Sequence, residues 1–533
     1  MTTGQRVPEA YVIGVDIGTT GTKAVLLDAD GGVVAQSAPV EHPTTFPPSV
    51  PGAAEQDPDD WWAGTARCIR QVLETAPAGE VAAVGVSSQA PCAVLVDARG
   101  RPTHPALLWM DRRSDKQCRD RMGANRQIQE IAANAPDPYY AAPKVAWLLE
   151  NVPDVQQPTT HLLMANGYVN MRLTGNRSID TGHAGLCLLA GIDDVQWSPE
   201  LAELWGVPTE WLPPVGQPTE VLGTVSQEAA VATGLRPGTV VVHGAVDGAT
   251  ASLEAGVAAE GDICEMTGQS TVLNAAVRYE ALADGLGALS VFAYPVPGLY
   301  LLFGAMSSTG GILRWFRDQL GDREMAEAVE TGSDAFALLD QLAGTAPVGS
   351  GGLLLLPYFL GERAPIWDSN ARGVLVGLSM STERSHVVRS ILEGTAYGLN
   401  HNIEEMRTRG LRPPVLRVVG GGSKGRTWNQ IKADVTGLPV EVPLETVGAP
   451  VGAALLAAVG AGVVDDLATA VHARYRAKER FYPDVVRERR YRGYYELYKR
   501  LYPALRDSDV FAELSTLRHA ADIERTLTRT SGE

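Results

Sequence analysis

The 533-residue chain has little cysteine: Cys68, Cys92, Cys118, Cys187 and Cys264, odd in number and widely spaced. No CxxC occurs, and none of the nine histidines falls in an HExxH or HxxxH pair. Neither a disulfide framework nor a structural zinc site is therefore expected, and the cysteines read as small buried apolar residues. An excess of positive charge is also missing. Lys plus Arg number 45 against 62 Asp plus Glu, a net charge of −17, which repels phosphate backbones at long range and argues against nucleic-acid binding. It does not exclude one small anion held by backbone amides or a metal ion. Long hydrophobic runs are absent as well. The longest mostly apolar stretch, residues 449–464, contains three glycines and a proline and falls short of the ~20 residues that span a bilayer. The opening MTTGQRVPEA has one basic residue and no apolar segment, so a signal peptide is not expected. These absences predict a soluble, cytoplasmic protein with no membrane or nucleic-acid partner.

What is present is an ordinary globular composition, 45% apolar and 20% charged, long enough for two to four domains at ~100–200 residues each. Residues 11–16 (YVIGVD) read as a buried strand, followed by the turn IGTTGT and a second apolar run, with a third strand expected over 33–40. The short connections call for antiparallel hairpins. A helix start follows, with Asp57 as N-cap, Pro58 at the first helical position and Asp60 in the first turn. Strands are expected over 81–87 and 93–97. The strand–Gly/Thr turn–strand pattern recurs ~250 residues later, as GDICEM, TGQST and residues 272–277. A further strand over 416–419 runs into GGGSKG, then a helix over 427–436, and residues 448–462 read as a small-residue helix able to pack very close to a neighbour. Two halves, each a mixed sheet with helices around a cleft, are the natural reading. The boundaries are 8–256, 257–506 and a charged tail over 507–533.

Four places carry candidate chemistry. Asp16 ends a buried strand, which is costly without a cation or a hydrogen-bond donor, and the turn Gly18-Thr19-Thr20-Gly21-Thr22-Lys23 beside it offers amides, hydroxyls and one ammonium. That set suits a polyphosphate with Mg²⁺, although a glycine hairpin with a solvated Asp has the same local sequence. Thr267-Gly268-Gln269-Ser270-Thr271 repeats this chemistry, so that two hairpins could grip a triphosphate from both sides. Gly420–Gly425 allows close approach of a flat or phosphorylated ligand. Neither GxxxxGK[ST] nor GxGxxG opening a βαβ unit is present, which disfavours P-loop and dinucleotide folds. Asp247 ends the apolar run 240–246 and begins a small-residue helix, a position that fits either a general base or an N-cap.

Together these segments resemble the FGGY family of carbohydrate kinases, from about residue 11 to about residue 462. YVIGVDIGTTGTKAVLLDADG is similar to the family's first phosphate motif, AAEQDPDDWW to its early helix start and ALLWMDRRSD to its sugar-side loop. VVVHGAVDGATASLEAG resembles the catalytic-Asp segment, CEMTGQST the second phosphate loop, and PYFLGERAPIWDSNARGVLVGLS the C-terminal signature. LRVVGGGSKGRTWNQIKADVTG with VGAPVGAALLAA resembles the adenosine region. The resemblance implies an α/β chain of two actin-like ATPase (ribonuclease H-like) domains that binds ATP, Mg²⁺ and a small sugar in the cleft between them. It implies Asp16 as the Mg²⁺-associated carboxylate and Gly18, Thr19, Thr20 and Lys23 as the β/γ-phosphate hairpin. Asp247 would be the base that takes the proton of the attacking sugar hydroxyl. Thr267, Gly268 and Gly310 would face the nucleotide, and Gly421, Gly422 and Gly425 its adenosine end. Gln89, Trp109, Asp111 and Tyr139, with Asp247, would contact the sugar. Relatives are often dimers, so a homodimer is an implied partner.

The sugar side departs from its models. Xylulose kinases read Met-His-Gly after the residue matching Gln89, where this chain has Ala90, Pro91 and Cys92. Gly248 after the catalytic Asp is similar to gluconate kinases, and Asp137-Pro138-Tyr139 to glycerol kinases. D-Xylulose is the leading substrate, with gluconate or another sugar acid or polyol as the alternative. A sugar-independent, chaperone-like ATPase and a binding protein with a dead site are the readings from other classes. The sugar-side segments argue against the first, and Asp16, Asp247 and both loops against the second.

Overall fold

The structure is a computed structural model and describes residues 10–517 apart from 77 and 284. Strand β1 (Tyr11–Ile17) is buried at all but its first residue, as a central strand must be. It turns through Gly18–Thr20 into β2 (Gly21–Leu27), and β3 (Val33–Gln36) continues the antiparallel meander. The strand expected over 33–40 stops at Gln36. The Ser37 hydroxyl takes over as acceptor for the Ala24 N–H, and Pro39 has no N–H to offer a ladder; pairing resumes only at Val40–Glu41 against Gly21–Thr22. Helix α1 (Pro58–Leu73) begins as its sequence requires, with the Asp57 carboxylate accepting the Asp59 N–H. Its Trp61, Ile69 and Val72 are buried. Strand β4 (Val81–Ser88) runs parallel to β1, and helix α2 (Ala141–Asn151) lies in the segment that follows.

Strands β5 (Val221–Thr224), β6 (Val240–Val242) and β7 (Ala245–Val246) complete the first sheet in the order β5-β6-β4-β1-β2-β3, with β7 also on β4. The apolar run 240–246 thus forms two strands rather than one. Gly244, at φ +78°, breaks it where a Cβ would stand 1.8 Å from Val86 O, so the chain bends against β4 before pairing again at Ser87–Ser88. Helix α3 (Asp247–Glu254) follows directly.

The second sheet repeats the plan. Strands β8 (Ile263–Thr267) and β9 (Thr271–Val277) form the hairpin, extended by β10 (Ser290–Ala293) and β11 (Tyr300–Met306). Helices α4 (Gly310–Leu320) and α5 (Ala335–Thr345) come next, then β12 (Leu416–Gly420), parallel to β8, and α6 (Arg426–Thr436). Strand β13 (Val440–Pro443), helix α7 (Ala449–Gly460) and β14 (Ala477–Phe481) complete the seven-stranded order β10-β11-β9-β8-β12-β13-β14. The repeated sequence pattern thus occupies equivalent places in the two sheets.

Helix α7 lies between β13 and β14 of the second sheet in sequence but rests on the first. Gly14 and Gly85 are register partners on β1 and β4, and a Cβ on either would stand 1.8 Å from Pro450 O or 2.2 Å from Ala453 O. On the helix's other side a Cβ at Gly452 would stand 2.1 Å from Thr250 O of α3. The small-residue helix therefore packs as closely as its sequence implied. All five cysteines are buried and free. Phe511 is buried against Tyr502, and residues 518–533 of the expected tail lie outside the described residues. Among the described residues no helix is long and apolar enough to cross a membrane.

Candidate active site

Three strands of the first sheet deliver its polar residues to one edge. Asp16 on β1 is the register partner of Ser87 on β4 and of Lys23 on β2, and Ser88 pairs with Val246, the residue before Asp247. The Ser87 hydroxyl donates to Asp16 Oδ1 at 2.9 Å. Asp247 is the first residue of α3 rather than its cap; Val246 holds the cap position. Its Oδ1 accepts the adjacent Gly248 N–H at 2.7 Å, so the carboxylate does not serve the helix in the way an N-cap does. Loss of water raises Asp247 from 3.8 to about 7, with the Asp16 charge adding to the rise. Burial likewise raises Asp16 to about 6, opposed by the Ser87 hydrogen bond and by Lys23. Among the described residues neither carboxylate has an ion-pair partner. A buried and a half-buried carboxylate that repel each other are an expensive arrangement for a protein to hold without a ligand.

The first hairpin is held by side chains of the segments that follow it. Trp109 Nε1 donates to Thr19 Oγ1 at 3.0 Å. Gln56, which sequence reasoning missed, donates to Thr19 O at 2.7 Å and accepts from Trp61 Nε1 and from Gln89 Nε2, both at 2.9 Å. Its only sequence signal is its place just before the cap of α1. Gln89 Oε1 is buried with no partner among the described residues, an acceptor that a ligand hydroxyl can satisfy. Tyr139 OH donates to Ala90 O at 3.0 Å, within the fields of Asp247, Arg363 and Cys92. Asp111 is brought to the same region but turned inward. It accepts from Ala54 N at 2.7 Å and pairs with buried Arg113, so its carboxylate holds the loop rather than facing a ligand. Thr20 and Lys23 are exposed, and Lys23 lines a cavity of about 590 Å³ with Gln36, Ser37 and residues 445–447.

The second-sheet candidates form their own cluster. A Cβ at Gly310 would stand 2.2 Å from Gly268 O, and one at Gly422 would stand 2.5 Å from Thr267 Cγ2. The second loop, the start of α4 and the glycine turn after β12 therefore touch one another. The Thr267 hydroxyl donates to Glu265 Oε1 at 2.5 Å and is bonded to Thr271 Oγ1, which is bonded in turn to Thr309 Oγ1. Glu265 faces Lys432 at 2.7 Å, with both side chains buried. The Thr267 proton is thus committed inward, to Glu265. Asp340 of α5 accepts the N–H groups of Thr427 and Trp428 at 2.9 and 3.1 Å. A protein carboxylate therefore already fills the anion position at the start of α6, and it stands where a Cβ at Gly425 would be, 2.6 Å away. A Cβ at Gly421 would meet only Thr267 O, at an ordinary 4.0 Å. The two clusters meet at Asn274 of β9, whose Nδ2 donates to Gly248 O at 3.4 Å and to Ser252 Oγ at 3.0 Å.

Two sheets of the same plan, two Gly/Thr hairpins and a pair of carboxylates at one end of the first sheet are the architecture of a two-domain phosphotransferase. The family models agree. Residues 11–253 match the N-terminal domain and residues 266–461 the C-terminal domain of the FGGY family of carbohydrate kinases; the chain belongs to this family. It is similar to the xylulose kinase of Bacillus subtilis (strain 168), at 29% identity over 93% of this chain and 97% of that protein. The crystal structure of xylulose kinase from Rhodospirillum rubrum matches with a TM-score of 0.86 and 32% identity, covering 94% of this chain and 100% of that one. Gluconate kinase from Lactobacillus acidophilus matches at 0.85 and 25%, covering 93% and 98%. The protein is an ATP-dependent carbohydrate kinase on the actin-like ATPase fold.

Proposed function

We propose that the enzyme transfers the γ-phosphoryl group of ATP to a primary hydroxyl of a small open-chain sugar, with a ketopentose such as D-xylulose as the leading acceptor. The observation that carries this reading is the proximity of Asp16 and Asp247, a buried and a half-buried carboxylate with no ion-pair partner among the described residues, at the ends of β1 and β7 on either side of β4. Asp247 accepts the proton of the attacking hydroxyl while that oxygen bonds to the γ-phosphorus and the bridging bond to ADP breaks. A base near 7 suits that task at neutral pH. Gln89 offers its free amide oxygen to a sugar hydroxyl, and Trp109 ties the sugar loop to the phosphate hairpin through Thr19.

The donor set fits Mg²⁺. Among the described residues no three His, Cys, Asp or Glu side chains are poised to enclose a metal, and Mg²⁺ is usually held by one or two carboxylates, with phosphate and water completing its shell. Asp16 would be that carboxylate, and the ion would neutralise charge on the phosphate oxygens. The sequences Thr19-Thr20 and Gly268-Gln269 would meet the triphosphate from the two halves, with Gly310 and Gly422 packed against the second loop and Gly421 leaving room for the nucleoside.

A second reading, gluconate or another sugar acid or polyol as acceptor, is favoured by Gly248 after the base and by the absence of the His that xylulose kinases carry beyond Gln89. A coupled ADP-release assay across D-xylulose, other ketoses, aldonates, glycerol and pentitols separates the two. A preference for D-xylulose supports the first and a preference for an aldonate or polyol the second. No acceptor-dependent ADP release from any of them refutes both.

A further inference from the structure

Lys144 has no place in the chemistry above, yet it is completely buried. It is the fourth residue of α2, within the first turn, where the positive end of the helix dipole disfavours an ammonium. Its placement therefore works against the helix. Its three donors all point backwards into the loop before α2, to Pro138 O at 2.5 Å, Tyr139 O at 2.5 Å and Tyr140 O at 3.2 Å. An ammonium has three N–H groups, and three consecutive carbonyls use all of them. Burial lowers the amine to about 7, opposed by the charges of Asp111, Cys92 and Asp137.

The caged loop is the junction of the sugar side. Asp137 accepts the Tyr139 N–H at 2.7 Å and holds Arg112 of the 109–113 loop at 2.6 and 3.1 Å. Tyr139 OH reaches Ala90 O, next to Gln89, and Tyr140 OH reaches Ser290 Oγ on β10 of the second sheet at 3.2 Å. Two sugar-side loops and one strand of the other half are thus anchored to a loop whose three consecutive carbonyls a single side chain holds.

We propose that Lys144 is a positioning residue for the sugar subsite: its ammonium fixes the 138–140 backbone so that Tyr139 and the 89–92 loop present a preformed surface to the acceptor. The proposal rests on the sugar-kinase reading. Without the ammonium, three buried carbonyls lose their donors, the loop relaxes, and the acceptor must order it on binding. The effect belongs to sugar affinity and not to the nucleotide, because Lys144 makes no contact with either phosphate hairpin.

Lys144→Met keeps the length of the side chain and removes every donor, whereas Lys144→Gln keeps two N–H groups. With the preferred acceptor, KM for the sugar is expected to rise at least tenfold in the methionine variant and less in the glutamine variant, while the Kd for ATP stays within twofold in both. If the methionine variant does not fold, the glutamine variant decides alone: a severalfold rise in sugar KM supports the role, and an unchanged KM overturns it. Equal losses in sugar KM and ATP Kd would mark Lys144 as generally structural and overturn it too. Absence of acceptor phosphorylation by the wild-type chain refutes the kinase reading itself, a result distinct from wild-type activity with indifferent Lys144 variants.

Discussion

Replacing Gly85 by alanine tests how the two halves are joined. The new Cβ would lie 2.2 Å from Ala453 O and 3.1 Å from the carbonyl carbon of the same residue. A tolerated C···O contact sits at ~3.3 Å, so α7 must retreat from β4 by about 1 Å. Both obstacles are backbone atoms in a helix wedged between β1, β4 and α3, and no side chain can swing away instead. Overpacking of this kind costs about 1–3 kcal/mol. At about 2–4 °C per kcal/mol for a cooperative block of ~250 residues, Tm should fall by roughly 2–12 °C. Because α7 also touches Thr250 of α3, the helix that begins with Asp247, sugar-dependent turnover should fall along with Tm. Gly123→Ala is the control, since its Cβ would meet open space. Differential scanning fluorimetry with a coupled ADP assay reads both quantities. An unchanged Tm with normal turnover in Gly85→Ala would refute the close packing of α7 on the first sheet.

Three further outcomes are expected. Asp247 titrates near 7 in the folded chain and near 3.8 when unfolded. The folded state therefore binds more protons between those values, so stability is highest below pH ~4 and declines as pH rises through 7, by up to about 4 kcal/mol from this group. The Tm of Asp247→Asn should accordingly exceed that of wild type by a margin that widens from pH 5 to 8 in the ligand-free protein, and parallel curves would contradict the sign. Lys432→Met leaves Glu265 buried without its cation beneath the second hairpin, at a cost of about 3–5 kcal/mol; adding Glu265→Gln should recover most of the lost Tm, and simple additivity would deny the pairing. Trp109→Phe removes the donor to Thr19 Oγ1 and should lower kcat/KM about tenfold with little change in Tm, as measured by the same assay and melt.

The sequence shows the elements that follow local rules. Asp57-Pro58 fixes the start of α1, and the two Gly/Thr turns locate β1–β2 and β8–β9, because capping and hairpin chemistry act over a few residues. The small residues of 448–462 likewise foretell a close approach. What stays hidden depends on residues far apart in sequence. Asp340 fills the start of α6 from 87 and 88 positions away, and Gln56 reaches Thr19 and Gln89 across 37 and 33. Nothing near Thr267 announces that its hydroxyl turns to Glu265, or near Asp111 that its carboxylate is spent on Arg113 and Ala54. The break at Gly244 comes from β4, a strand more than 150 residues earlier.

The central claim is that Asp247 serves as the base in sugar phosphorylation, and Asp247→Ala tests it most directly. With the acceptor that wild type prefers, acceptor-dependent ADP release and ATP affinity are measured side by side. The account predicts that ADP release falls by at least ~100-fold, the lower range of a general base's contribution, while ATP binds within threefold of wild type. Near-normal turnover in Asp247→Ala would contradict it.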